Sequence, residues 1–456
     1  MGQAPLLDCP KEVQLATIEY LAPSDLAILS RASQGLHRLV EPLLYSAIEL
    51  SWTLQCHPPV TQLLRTLLEK PELSSHVRRL DLSGHGFADE SDVWDRPDAL
   101  PSIAPLPNDK LSEAVKNIQV SDTTADLWVD NVQSGASDAV VAVLISLMPN
   151  LERLSLSANW TSETHFLGIM FRSALCDTQQ DSPRRFPCLK HVSFAPMIDE
   201  EEHLDPTNTA DVLALFYLPN IQHLSISIDN PTHFSWPSRG PPDPRLLSSL
   251  EVHRIRESRM APILSVAKGL RKLRYNWFYQ SDVDREVSGD IVRLDTMATA
   301  FLQVSSSLEE LEINAELFPA ISRGEYEPRG IKLQGSLSQL CKMNSLRRLR
   351  VPWSFLTGLD TYAVPGRLGL ALPQSLEHLA LTKRFIKYEE VDDRDDFMIS
   401  AFGMELESGF LSHLTSLKAV YLPKSWYTTG ICNACKKKLD CLGARFNLVM
   451  AVEPET

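Results

Sequence analysis

No stretch of this 456-residue sequence approaches the ~20 consecutive apolar residues of a membrane-spanning helix, so no membrane span is expected. The N-terminus has neither a basic n-region nor a long apolar h-region, and no secretory signal is expected. Positive charge is in deficit: 44 Lys and Arg stand against 58 Asp and Glu, a net charge of -14. Such a surface repels phosphate backbones and anionic lipid, which argues against nucleic acid and membrane as partners. Part of the acidity is local, in Asp199 to Glu202 and Glu389 to Asp396, both read as solvated loops. Cysteine is sparse, at eight residues. In a cytoplasmic or nuclear protein, where this chain is expected to reside, these are thiols, and the sequon Asn159-Trp160-Thr161 has no role.

Catalytic signatures are missing too. There is no P-loop, no G-x-G-x-x-G, no G-x-S-x-G and no H-E-x-x-H. Cys432 and Cys435 with Cys441 form the one cysteine cluster. A structural zinc site needs four ligands, and no second pair exists. The segment reads as a last helix before a closing strand over 445–452. No metal, no cofactor and no enzymatic activity are expected.

What is present is a recurring hexad, L-x-x-L-x-L with substitutions. It starts at residues 77, 151, 189, 221, 250, 270, 308, 346, 376 and 417. The starts usually follow a short polar turn, as in PNLERLSL, PNIQHLSI, SLEELEI and SLRRLRV. Alternate residues of a short strand point to opposite faces, so the hexad describes a strand with one buried side. Amphipathic stretches between hexads, such as 139–148, 209–218, 260–270, 291–304 and 404–414, predict helices. This is the strand signature of leucine-rich repeats, and the chain resembles that family from residue 51 to 452. The resemblance implies an α/β irregular leucine-rich-repeat solenoid, with parallel strands on a concave face and helices on a convex face. Regular repeats run about 20–29 residues, whereas these starts lie 20 to 74 apart. Insertions near 86–136, 229–245 and 383–398 read as surface excursions. The asparagine that normally follows the strand stands only at Asn159.

The first fifty residues differ. Pro10 with Glu12 opens a first helix carrying Val13, Ile18 and Leu21. Ala22-Pro23 ends it. Ser24 is the expected N-cap of a second helix with Leu26 and Leu29 on one face. Gly35 interrupts before a third helix with Leu36, Leu39, Val40 and Leu43. So short a module buries too little surface to stand alone. Residues 6–50 resemble an F-box: Pro10 and Glu12 at the opening, Asp25-Leu26 before Leu29-Ser30, and Pro42-Leu43-Leu44-Tyr45 at the exit. That exit is especially similar to F-box proteins of fungi. The pattern departs at Cys9, where leucine is usual, and at Gly35-Leu36, where an aromatic is common.

The resemblance implies that Pro10, Val13, Ile18, Leu21, Leu26 and Leu29 present an apolar surface to a Skp-type adaptor, and through it to a cullin. The chain would then be the substrate-recognition subunit of a ubiquitin ligase. The alternative is a non-catalytic repeat scaffold acting without ubiquitination. The repeats would hold a protein substrate of unknown identity. Arg274 and Arg350 occupy equivalent central positions of their hexads, each followed three residues later by Trp277 or Trp353. Aromatics and arginines carry much interface energy, so these four are the expected substrate site, suited to an acidic or phosphorylated peptide. Equivalent positions of stacked strands align at about 4.8 Å, placing Glu312 between the two arginines. Trp160 and Trp426 also lie just past strand ends.

Overall fold

The computed structural model describes residues 9–53, 55–84, 100, 106–161, 164–177, 186–194, 209–228, 234–280, 289–318, 330–358, 367–382, 394–422 and 433–452. The N-terminal segment folds as three helices, α1 (Lys11–Ile18), α2 (Pro23–Ala32) and α3 (Gln34–Leu44). Ala22, not Ser24, caps α2, with Pro23 in its first turn, where the fixed φ of proline suits a helix start. Nor does Gly35 interrupt. Ser33 caps α3 by accepting a hydrogen bond from the Leu36 amide, and Gly35 sits inside the first turn. Ile18, Leu26 and Val40 form a small core, with Leu15, Leu29, Leu39, Leu43 and Leu44 packed on it.

Strand β1 (Ala47–Ser51) follows at once and pairs in parallel with β2 (Arg79–Ser83). Ile48 and Leu50 are register partners of Leu80 and Leu82. The boundary expected at residue 50 therefore moves back, because β1 belongs to the repeat sheet.

Two compact units are distinguished. The first comprises residues up to 198 with 210–223 and 236–240; the second comprises 199–209, 224–235 and 241–456. In the first, β1, β2, β3 (Arg153–Leu156) and β4 (His191–Phe194) lie side by side, every pair parallel. Its later helices are α4 (Val60–Glu69), α5 (Asn108–Lys116), α6 (Asp122–Ser134), α7 (Ser137–Ser146), α8 (His165–Leu175) and α9 (Thr209–Leu213). α7 packs between α4 and α8 and is buried from Asp138 to Ile145, as expected of a helix that is apolar all round. Asp138 accepts hydrogen bonds from the amides of Phe166 (2.6 Å) and Leu167 (3.1 Å), so a carboxylate of α7 caps the positive end of α8.

The 86–136 insertion is not only a surface excursion. Its second half forms α5 and α6, which bury Leu111, Val115, Trp128 and Val132. The acids and serines are the outer face of two amphipathic helices, which composition alone does not separate from a loop. Asn159 is buried and donates to the Trp52 carbonyl at 2.7 Å. Gly84, at φ +148, leaves it room; a Cβ there would lie 2.5 Å from the amide nitrogen. Trp160, just past the end of β3, is buried. Its indole donates to the Ser83 carbonyl (2.9 Å) and its ring lies 5.0 Å from that of Trp52.

The second unit, which takes β5 (His223–Ser227) from Leu224 onward, orders β5, β6 (Ser249–His253), β7 (Lys272–Gln280), β9 (Glu310–Phe318), β11 (Arg348–Pro352), β12 (His378–Thr382), β13 (Ala419–Leu422) and β14 (Val449–Val452) as neighbours. β8 (Ile291–Arg293) and β10 (Lys332–Gln334) form a separate parallel pair. Helices α10 (Glu257–Val266), α11 (Leu294–Phe301), α12 (Trp353–Thr357), α13 (Arg367–Ala371), α14 (Arg394–Glu407) and α15 (Asn433–Phe446) alternate with the strands.

Four expectations change here. The hexad starting at 250 is out of register. Leu250 and Val252 face Leu273 and Tyr275, so Leu247, fully buried, is its first residue. The stretch 291–304 opens with a strand before its helix. The closing strand begins at Val449, since α15 runs to Phe446 and Asn447 takes the left-handed φ of 54 common after a helix end. The 383–398 insertion becomes helix from Arg394; its earlier residues lie outside the described residues. In the 229–245 insertion, 229–233 also lie outside. Trp236 packs edge-on against Phe216 at 5.4 Å, and Tyr217 donates to the Gly240 carbonyl at 2.6 Å.

Replacing Asn159 with alanine strands the Trp52 carbonyl without its donor, and an unmet buried acceptor costs about 1–3 kcal/mol. A urea titration of Asn159→Ala is therefore expected to show a clearly lower midpoint; an unchanged midpoint would remove Asn159 from the fold's supports.

Candidate functional site

Strand parity decides which side chains the repeats expose. In β7 the inward set is Leu273, Tyr275 and Trp277, all fully buried. The outward set is Lys272, Arg274 and Asn276. Across the second unit this outward set forms rows of alternating charge. Arg274 is the register partner of Glu312, and Glu312 of Arg350. Glu312 pairs with both, at 2.9 Å to Arg274 and 3.0 Å to Arg350. In the neighbouring row Glu310 pairs with Lys272 (3.3 Å) and with Arg348. In the turn before the strands Glu377 pairs with Arg347 and Lys418. Asn314 donates to Asn276 at 2.9 Å beside them. Lys272, Glu310, Glu312, Arg348 and Arg350 line a depression of about 380 Å³, whose far side is made by His378, Ala380 and Tyr421.

At the near edge of the ladder stands Glu251. It accepts hydrogen bonds from Ser225 (3.1 Å) and Asn276 (3.2 Å) and pairs with Arg274 at 3.4 Å. Burial opposes its ionisation. The hydrogen bond and charge of His253, the charge of Arg274 and the Ser225 hydroxyl outweigh burial and bring the carboxyl down to about 2. For Arg274 burial works against the charge, and Glu312 with Glu251 more than restores it, so its pKa is raised.

Arg274 and Arg350 thus stand on the exposed face with Glu312 between them, but the two tryptophans do not join them. Trp277 is 0% exposed and Trp353 is 4% exposed. The reason is the period of two. β7 continues five residues beyond the hexad's closing Tyr275, to Gln280, so a residue two places after inward Tyr275 is also inward. Trp353 opens the fully buried short helix α12. Trp277 belongs instead to a buried polar network. Its indole donates to Glu257 at 3.1 Å, and the Arg256 guanidinium lies 4.7 Å over its ring. Arg256 pairs with Glu257 at 3.1 Å and donates to the carbonyls of Gly289 and Ile291, both at 2.7 Å. Buried charges need such full pairing. Trp426 lies outside the described residues.

The N-terminal candidates separate in the same way. Ile18 and Leu26 are core, which corrects their assignment to an outward face; Leu29 packs partly against them. Pro10 and Val13 are exposed, and Leu21 lies at 37%. Sequence reading missed Tyr20, 89% exposed, and Ile28, 67% exposed. Ile28 lies two residues from Leu26 and so on the opposite side of α2, a signal available in the spacing. Among the described residues no group of three or more His, Cys, Asp or Glu could hold a metal. Cys432 and the side chain of Cys435 lie outside them. No described helix is long and apolar enough to cross a membrane.

Two outcomes follow. Trp277→Ala empties a fully buried site and is expected to cost about 3–5 kcal/mol, seen as a large drop in denaturation midpoint, where a residue on an open face would cost little. Glu251 titrates lower in the folded chain than its ordinary 4.5. Its contribution is therefore full above that pH and is lost as pH falls toward about 2. Acid unfolding of Glu251→Gln should be flatter than wild type across that window; parallel curves would contradict the pairing.

Among families, the leucine-rich repeat domain matches residues 55–183. No curated protein matches the chain. The match runs from the approach to α4 past α8 and includes β2 and β3. Residues 55–183 are a leucine-rich repeat domain.

Proposed function

We propose that this chain is the substrate-recognition subunit of a cullin-RING ubiquitin ligase of the SCF type. Helices α1–α3 act as an F-box of the fungal kind, docking on a Skp-type adaptor, and the repeats hold a protein substrate. The observation that carries this reading is the outer surface of the helical module. Tyr20, Ile28, Val13 and Leu21 are large apolar residues left open to solvent around a core whose buried members are Ile18, Leu26 and Val40. A module with so small a core gains stability by covering such a surface with a partner. The Pro42-Leu43-Leu44-Tyr45 exit supports the family reading, and leucine-rich repeats supply broad surfaces for protein partners.

Docking by the outer face and stability of the inner core call for different variants. Leu21→Asp with Ile28→Asp places two carboxylates on the docking side, where burial against a partner leaves them desolvated. It is expected to abolish co-purification of a Skp-type adaptor while the circular dichroism of the full chain stays unchanged. Leu26→Asp also loses the adaptor, but with loss of helical signal, because Leu26 is core. Undiminished adaptor recovery by the double variant would sink the docking role and leave a repeat scaffold that works without ubiquitination.

A further inference from the structure

The alternation of charge in the second unit stops at β12. Just before that strand the pattern still holds, since Glu377 pairs with both of its neighbours, Arg347 and Lys418. Within the strand it fails. His378 is the register partner of Arg348 on one side and Ala419 on the other, and Ala380 that of Arg350 and Tyr421. Arg348 and Arg350 face Glu310 and Glu312 across β9, so alternation calls for acids at 378 and 380, and neither is there. Arg274, in the same row as Arg350, shows a completed position. It pairs with Glu312 at 2.9 Å and with Glu251 at 3.4 Å, one acid on each flanking strand. Arg350 has Glu312 on β9 and the methyl group of Ala380 as its register partner on β12.

So small a side chain leaves a hollow. Neighbouring strands lie about 4.8 Å apart, which puts the backbones of Arg350 and Tyr421 roughly 10 Å from each other with Ala380 between them. These three residues, with Arg348 and His378, line one side of the depression. Among the described residues the Tyr421 hydroxyl and the His378 ring make no hydrogen bond, and Arg348 forms its ion pair with Glu310 alone. From β6 to β13 the two strand rows carry four cations, Lys272, Arg274, Arg348 and Arg350, against three carboxylates, Glu251, Glu310 and Glu312. One positive charge is left over, on the side where the acids are missing.

We propose that the hollow over Ala380 receives one glutamate side chain of a partner protein, whose carboxylate takes the place that the ladder leaves without an acid. Arg350 donates to it from one side, as Arg274 does to Glu251, and the Tyr421 hydroxyl from the other. Arg348 and His378, two residues back along their strands and so on the same face, border it. This deepens the reading of the repeats as a protein-binding surface and rests on that reading, not on the adaptor. The charge balance selects the ligand. One carboxylate cancels the single excess charge, whereas a phosphoryl group near −2 overshoots it beside Glu310 and Glu312. The walls select a side chain over a chain terminus. They are long side chains around a methyl floor, so an outstretched side chain reaches in while the partner's backbone stays above.

The test uses the full chain and a short Gly-Ser peptide, blocked at both ends, with one central Glu, titrated by saturation-transfer NMR. Binding in the millimolar range is expected of a single carboxylate. The peptide with Gln in place of Glu should bind about tenfold more weakly or not at all, the factor one charge-assisted contact carries. Ala380→Glu supplies the missing acid from within. It should weaken the Glu peptide by about tenfold or more while the unfolding midpoint holds or rises. Tyr421→Phe, which keeps the ring, should weaken it about threefold. Lys116→Gln makes the same change in net charge on exposed α5 and should leave affinity within about twofold. Equal losses in Ala380→Glu and Lys116→Gln would mean that net charge alone attracts the peptide, and would overturn the site. So would equal binding of the Gln peptide, or no transfer to the Glu peptide at about 10 mM. Tighter binding of a peptide with phosphoserine at the centre, or of one whose only carboxylate is its C-terminus, would overturn it as well. Adaptor co-purification from the same preparation keeps the two readings apart: adaptor retained with no peptide bound overturns this inference alone.

Discussion

Everything exposed in this protein is set by what its strands bury. Leu80, Leu154, Val192, Leu250, Leu273, Leu311, Leu349, Leu379 and Val420 are buried almost completely. They occupy one register position of successive parallel strands within the two units. Each buried aliphatic side chain is worth about 1.5–3 kcal/mol, and a one-residue slip would carry the whole set into water. With that row fixed, the residues on either side of it must face outward. The charge rows of the second unit and the placing of Arg153 opposite His191 in the first are consequences of that single constraint.

The outward rows then differ in how they settle their charges. Glu312 between Arg274 and Arg350, and Glu310 between Lys272 and Arg348, satisfy one another within the sheet. A partner approaching there competes with pairs already made, and partly exposed pairs are worth little in either direction. Arg153 of the first unit, by contrast, makes no ion pair among the described residues. The buried Arg256–Glu257–Trp277 network is a third solution. It is closed on all sides by hydrogen bonds and tied to β8 through Ile291, which fits a role in fixing the fold rather than meeting a partner.

Much of this architecture was legible in the sequence because the hexads have a period. The strands at Leu151, Leu189, Leu308, Leu346 and Leu376 fall where the pattern puts them, and Asn159 is buried at its expected offset. The failures are equally physical. In PRLLSSLEVHRI two leucine triplets overlap, and only register against β7 selects Leu247 over Leu250 as the first. β1 was hidden because Ile48-Glu49-Leu50 also reads as the end of the helical module. α5 and α6 were hidden because their exposed sides are rich in acids and serines. Trp277 is not legible as buried because the hexad pattern ends at Tyr275, whereas the strand keeps its alternation to Gln280. Glu312 lies between Arg274 and Arg350, but no sequence rule says whether an intervening glutamate neutralises a site or leaves it open. That took the distances.

The central claim is that α1–α3 turn an apolar outer surface to an adaptor while the repeat strands stay free for another protein. Hydrogen exchange of the full chain, with and without a purified Skp-type adaptor, addresses it directly. The account predicts added protection in α1, α2 and the turn carrying Tyr20, with β2, β3 and β4 unchanged. Protection confined to the repeat strands, or no change anywhere at saturating adaptor, would contradict it.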